Sequence, residues 1–302
     1  MRAILFGASK AGENYVSNHP DIEVVAFTDN DSAKHGTRFM GYPIIAPADI
    51  STHDIDSIII TSQWVDQIYS QLTEEMGVDK SNIIVPTKQS VKAALPFEDN
   101  ETLAFAQSVM RTLNRYFVSH NISACLDSGT LLGAVRNKGL IPWDDDIDLA
   151  VDKDNYERLQ ASLPELYKLL NTNYDVKWNI VIITVNNIDC CINLEFSNLS
   201  HTQLVPFDIS IQRRESINGL SELLSSGGLF FAPATHFDSY EPIEFLGETF
   251  LAPFDAEGFL TFMYGHWQTP KKTTQITEYE NRRASMSAPR TGISVQKRTL
   301  CE

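Results

Sequence analysis

The segment IPWDDDIDLAV, Ile141 to Val151, admits few folds. Asp144, Asp145, Asp146 and Asp148 sit among Trp143, Ile147, Leu149 and Val151, which is apolar company for an acidic run. Side chains alternate across a strand, so an extended chain puts Asp144, Asp146 and Asp148 on one face and Ile147 and Leu149 on the other. One face is then core and the other a carboxylate cluster. Carboxylates that close repel one another and are driven to protonate unless a cation neutralises them. Hard oxygen donors of this kind suit Mg²⁺ or Mn²⁺. The plainer alternative is an acidic edge strand that discourages aggregation.

The residues before this segment sharpen the choice. From Glu101, the positions Leu103, Ala106, Met110, Leu113 and Phe117 recur at helical spacing and make one buried face. SACLDSG then reads as a short strand, and Gly129-Thr130 opens a helix, TLLGAVRN. A strand, a glycine with a hydroxyl residue and a helix start present backbone N–H groups and a hydroxyl to an anion.

Residues 1–88 read differently. RAILFGASKAGENYV is a strand, a glycine turn and a helix, and IEVVAFTDND is a second strand ending in acids. YPII, IDSIIITS, an amphipathic helix over residues 65–76 and NIIVP continue the alternation, which predicts a parallel sheet with crossovers. The turn Gly7-Ala8-Ser9-Lys10-Ala11-Gly12 carries Ser9 where GxGxxG has its middle glycine, and Asp29 stands where a ribose-binding acid would. Gly7, Ser9, Gly12 and Asp29 are therefore candidate nucleotide contacts, unless the glycines serve only strand–helix packing. A polar stretch with Pro86 and Pro96 places a boundary between residues 88 and 100. The expected organisation is α/β: a Rossmann-like parallel-sheet domain over 1–88, then an α+β domain over 100–302.

The chain carries 24 Lys and Arg against 39 Asp and Glu, a formal net charge of −15, which disfavours non-specific binding to nucleic acid. A protein this acidic must handle phosphorylated substrates through divalent cations or local Arg and Lys. No window of about eighteen apolar residues occurs and no secretory leader precedes the first strand, so a cytoplasmic protein without a membrane span is expected. Cys125, Cys190, Cys191 and Cys301 lack ligand spacing and are expected as reduced thiols. The seven histidines show no zinc-site spacing.

GTLLGAVRNKGLIPWDDDIDLAV resembles the signature of the LicD family, whose relatives include the fukutins. VPFDISI resembles the downstream strand of that family, and FLAPFDAEGFLTFMYGHWQTP its closing motif, at Pro253, Leu260, Tyr264, Gly265, Trp267 and Pro270. The resemblance implies a nucleotidyltransferase fold with Asp146, Asp148 and Asp208 as metal ligands and catalytic carboxylates. It implies transfer of a phosphorylated group, phosphocholine or a polyol phosphate, from a CDP-linked donor to a sugar hydroxyl of a glycan or lipid-linked glycan, at the inner face of the membrane if the acceptor is lipid-linked. Gly129, Thr130, Arg136, Lys138 and Asp144 are placed with the substrate; of Asp144 and Asp145, one orients a metal-bound water and the other caps or salt-bridges, and Glu195 is a reserve carboxylate. Trp143, Tyr264 and Trp267 either stack on substrate or belong to the core. Three positions depart from the family: Asn137-Lys138 stands where His is usual, His266 replaces an acid, and Asp208-Ile209-Ser210 lacks Phe-Pro.

Residues 1–86 also resemble the N-terminal domain of sugar O-acyltransferases, which implies a nucleotide-sugar ligand. Two other readings stay open: a true nucleotidyltransferase releasing pyrophosphate, and a ligand sensor whose N-terminal domain binds a nucleotide sugar and whose second domain is inactive. The end of the chain collects Lys271, Lys272, Arg282, Arg283, Arg290, Lys297 and Arg298. It reads as a solvated, partly disordered tail, or as a segment meeting an anionic partner.

Overall fold

The computed structural model describes residues 1–92, 95–272, 275–279, 281–282 and 295–300. These fall into two compact units: 1–92 with 271–272 and 275–279, and 95–270 with 281–282 and 295–300.

In the first unit the strands are β1 (Arg2–Phe6), β2 (Glu23–Thr28), β3 (Arg38–Phe39), β4 (Tyr42–Ile45), β5 (Ser57–Ile60) and β6 (Ile83–Ile84). They form one sheet in the order β3-β4-β2-β1-β5-β6. All neighbours are parallel except β3 and β4. The order reverses at β1, as in doubly wound folds, because the chain crosses first to one side and then to the other. β1 and β5 are buried along almost their whole length, which is why they read as continuous apolar runs. One face carries α1 (Lys10–Asn18) and buries Leu5, Tyr15, Phe27 and Ile59; the other carries α2 (Val65–Ser70) and buries Ile4, Phe6, Ile58, Ile60 and Ile68.

In the second unit, α3 (Asn100–Ser119) begins at Asp99, whose carboxylate accepts from Thr102 N–H at 2.8 Å. Its stripe of Ala106, Val109, Met110, Leu113 and Phe117 is buried, as its spacing requires. Next come β7 (Cys125–Leu126), α4 (Ser128–Leu132) with a wider turn over 133–137, β8 (Asp146–Val151) and α5 (Lys153–Asn173). The remaining strands are β9 (Val176–Val185), β10 (Ile188–Asn198), β11 (Asp208–Ile217), β12 (Leu220–Leu223), β13 (Phe231–Pro233), β14 (Tyr240–Phe245) and β15 (Glu248–Pro253). α6 (Ala256–Tyr264) and β16 (Val295–Leu300) complete the unit. The main sheet runs β14-β15-β7-β8-β11-β10-β9-β16 and mixes parallel with antiparallel pairs. Its core holds Leu113, Ile147, Leu149, Trp178, Ile192, Ile209 and Phe259.

Two expectations change. The second domain does not run unbroken from 100 to 302, because residues 275–279 pack with the first unit: Gln275 donates to Val85 O at 3.1 Å and the Lys88 ammonium lies 4.7 Å from the Tyr279 ring centre. Nor is the end of the chain a uniformly solvated tail. β16 pairs antiparallel with β9 from Val295↔Val185 to Leu300↔Ile180, and Arg298 is ion-paired with Asp189 at 2.9 Å. Arg283, Arg290 and Cys301 lie outside the described residues. Cys125, Cys190 and Cys191 are buried free thiols. Among the described residues, no helix is long and apolar enough to cross a membrane.

Candidate functional site

β8 and β11 run parallel with Asp208 opposite Asp146, Ile209 opposite Ile147 and Ser210 opposite Asp148. Ile147, Leu149, Ile209 and Ile211 are buried on the helix side. Asp146, Asp148, Asp208 and Ser210 consequently share the other face, which is half-buried to exposed. β10 extends the same face: Asn193 lies opposite Ser210, and Glu195 shares the alternation of Asn193. Burial raises the Glu195 pKa above its ordinary value, and the Asp208 charge adds to the effect, while Lys297 opposes it.

β8 starts at Asp146, so Asp144 is not a strand residue as expected. It stands in the preceding turn, held by its N–H on Ile141 O at 3.0 Å. Its carboxylate lies over Gly129, where an added Cβ would come within 2.2 Å of Oδ2. One carboxylate oxygen from each of Asp144, Asp145 and Asp146 lies within 4.8 Å of the other two. Asp145 thus joins an acidic group that runs along the turn into the strand.

The residues expected to cradle a phosphate are placed unevenly. Thr130 is buried, and its hydroxyl oxygen accepts from Asp148 N–H at 2.9 Å, so it fixes β8 rather than facing outward. Ser128 sits in the left-handed region at φ 48°, and Asp127 caps it, Oδ1 accepting from Ser128 N–H at 2.7 Å. Arg136 is half-buried and donates through Nη1 to Trp267 O at 3.1 Å and through Nε to Asn137 at 2.7 Å. Its Nη2 is buried without a hydrogen-bond partner, and burial lowers the guanidinium pKa. The Arg136 guanidinium carbon lies 5.9 Å from the centre of the half-buried Trp143 ring. Lys138 is exposed at a left-handed turn, φ 58°.

Trp267 belongs to the core. It is buried, and its indole N–H donates to Thr261 at 3.1 Å, so it offers no stacking surface. Tyr264 is half-buried against the same cluster.

Sequence reasoning missed three partners. Asp127 and Arg214 form a buried ion pair at 2.8 Å, with the guanidinium carbon 4.2 Å from the Phe237 ring centre. Gln212 Nε2 donates to Asp148 Oδ1 at 2.9 Å. Asp127 follows a two-residue strand, and Arg214 and Gln212 share the alternation of Asp208, which is the signal that could have marked the last two.

In the first unit the candidate nucleotide contacts all have packing tasks. Gly7 adopts φ 122°, and a Cβ there would meet Thr61 O at 2.7 Å. A Cβ on Gly12 would lie 2.7 Å from Gly7 O and 2.9 Å from the Phe27 ring. Ser9 donates its hydroxyl to Thr61 O at 3.1 Å. Asp29 accepts from Ala8 N–H at 3.1 Å and from Asp31 N–H at 3.0 Å, and it pairs with Lys34 at 2.7 Å. Glycine is required here by close strand–helix approach.

With this geometry in place, comparison with known proteins adds a family. The family described as "LicD/FKTN/FKRP, nucleotidyltransferase domain" matches residues 121–255. The second unit is thus similar to the LicD family over that stretch. Its match spans the Gly129 turn, β8 and β11. Residues 1–84 match a family described as "C2185-like, N-terminal". The lipopolysaccharide cholinephosphotransferase LicD of Haemophilus influenzae is 46% identical over 61 residues, 19% of this chain and 23% of that protein. The uncharacterized protein RP689 of Rickettsia prowazekii is 38% identical over 73 residues, 24% of this chain and 27% of that one. Each match spans about a quarter of the relative's length. Among solved structures, UDP-D-quinovosamine 4-dehydrogenase from Vibrio fischeri is 21% identical over 28% of this chain and 76% of that one, with a TM-score of 0.24. Biliverdin reductase from Synechocystis covers 92% and 94% at 10% identity and 0.25. Scores that low do not bear on the fold.

Proposed function

We propose that the LicD-family unit is a metal-dependent phosphotransferase that moves a phosphorylated group from a CDP-linked donor to a sugar hydroxyl of a surface glycan. The observation that carries this reading is the parallel register of β8 and β11, which sets Asp146, Asp148 and Asp208 on one half-open face. The LicD match, and the cholinephosphotransferase among its relatives, support the reaction class.

The bond formed joins the acceptor oxygen to the phosphorus distal to cytidine. The bond broken is the bridge between the two phosphates, CMP leaves, and the acceptor proton passes to a carboxylate or water. Such transfer needs positioning and charge neutralisation more than covalent help. The donor set is all carboxylate oxygen, which fits Mg²⁺ or Mn²⁺ held by Asp146, Asp148 and Asp208 with Asp144 and Asp145 alongside. Such an ion supplies charge stabilisation on the phosphate oxygens. Arg136, with its buried and unsatisfied Nη2, is suited to a donor phosphate oxygen, and Trp143 beside it to a flat or cationic group. Asp208, on the exposed end of β11, is suited to receive the acceptor proton.

The test is incubation with CDP-choline and other CDP-linked donors, with Mg²⁺ or Mn²⁺ and a sugar acceptor, following CMP by chromatography. Asp146→Asn or Asp148→Asn is expected to fold and to lose on the order of 10²-fold or more in turnover, since metal charge stabilisation supplies several kcal/mol. Full activity in EDTA or in either variant overturns the metal assignment. Pyrophosphate release in place of CMP makes the unit a true nucleotidyltransferase.

A further inference from the structure

We infer that Gln212 is a positioning residue for the metal-binding carboxylate of Asp148, and that Ser225 locks Gln212 in that role. The inference rests on the proposed metal site and adds two residues to it.

Gln212 lies on β11 at the same alternation as Asp208 and Ser210, so it belongs to the carboxylate face and not to the core. Its amide nitrogen donates to Asp148 Oδ1 at 2.9 Å. Its amide oxygen accepts from the Ser225 hydroxyl at 2.5 Å. An amide alone can turn over and exchange nitrogen for oxygen, which would aim a lone pair at the carboxylate. The Ser225 hydroxyl, used as a donor, makes the nitrogen-inward orientation the favourable one. Ser225 is itself held in a short helical turn over Leu224–Ser226. There Ser226 donates to Leu223 O at 2.6 Å and accepts from Phe230 N–H at 2.9 Å, and Gly227 N–H bonds Leu224 O at 3.0 Å.

Asp148 is thereby fixed at three points. Thr130 accepts from its backbone N–H at 2.9 Å, Asp127 N–H donates to its carbonyl at 3.1 Å, and Gln212 sets the rotation of its carboxylate. A hydrogen bond on Oδ1 chooses the plane in which the group offers its lone pairs. It also adds a neutral donor to a face crowded with acids, with no further charge. Groups that orient a metal ligand in this way change metal affinity by about 10- to 100-fold when removed.

The experiment is Mn²⁺ binding to the intact chain, read by electron paramagnetic resonance of the free ion, with thermal unfolding recorded in EDTA. Gln212→Leu is expected to weaken Mn²⁺ binding by about 10-fold or more, with the unfolding midpoint in EDTA little changed. Ser225→Ala is expected to weaken it by less, and to have no further effect in the Gln212→Leu background, because the hydroxyl acts through the amide. Asp148→Asn is the control for the underlying reading. If Asp148→Asn abolishes Mn²⁺ binding while Gln212→Leu leaves it unchanged, the positioning role is wrong and the metal site stands. If Asp148→Asn binds Mn²⁺ normally, the site assignment fails and this inference falls with it. Additive effects of the Gln212 and Ser225 changes would remove Ser225 from the proposal.

Discussion

Asp127 and Arg214 expose 1% and 3% of their side chains, so neither charge is compensated by water. The carboxylate divides its work: Oδ2 takes the Arg214 Nε–H, and Oδ1 caps the turn that leads to Gly129. Asp127→Asn should cost about 3–5 kcal/mol in urea denaturation, because it leaves a buried guanidinium without its anion. A loss below about 1 kcal/mol would show that the pair is more accessible than its burial implies. Glu195 makes an opposite prediction. Its folded pKa is raised, so ionisation in the native state is disfavoured relative to the unfolded chain, and the charged group lowers stability at neutral pH. Glu195→Gln should therefore raise the unfolding midpoint in EDTA at neutral pH. The gain should vanish as pH falls through the raised pKa to below the ordinary value of 4.5. A gain that persists in acid would assign the effect to packing. At this scale the shared face of Asp146, Asp148 and Asp208 was legible in the sequence, since alternation around Ile147 and Ile209 shows which side chains face outward. The supporting residues were not. Alternation on β11 puts Arg214 and Gln212 on the face of Asp208, but no local period shows that they meet Asp127, Asp148 and Ser225.

The turn before β8 and the helix α4 depend on one another through a missing side chain. The Asp144 carboxylate occupies the space that a Cβ on Gly129 would take. Gly129→Ala should push that carboxylate aside at small cost in stability, because the group displaced is the end of a flexible side chain. The expected outcome is a thermal midpoint within a few degrees of the parent, with CMP release clearly reduced. Equal activity would show that the position of Asp144 is immaterial. α3 was readable because its apolar stripe is long and periodic, and β1 and β5 because buried parallel strands are uninterrupted apolar runs. Asp144 was misplaced because alternation was extended two residues beyond the start of the strand, through a turn bonded at Ile141. β9 and β16 went unread. β16 is almost wholly exposed and carries Gln296, Lys297, Arg298 and Thr299, so its extended form comes from pairing with β9 and not from its own composition.

For the molecule as a whole, the sequence showed two α/β bodies but not the path of the chain between them. A boundary near Pro86 and Pro96 is visible as a change of composition. The return of residues 275–279 to the first unit is not, since it rests on contacts between residues far apart in the chain, such as Gln275 to Val85 O and Lys88 to Tyr279. The placement of β16 also sets the order in which the protein can be completed. A ribosome delivers β9 long before Val295 emerges, so the free margin of β9 waits, with its backbone N–H and C=O groups unpaired, through the synthesis of everything between Val185 and Val295. In that interval the nascent unit presents a ready template for another extended segment. The Lys297 and Arg298 charges that finally arrive on β16 turn an adhesive margin into a soluble one, so the strand also acts as a late seal against mispairing.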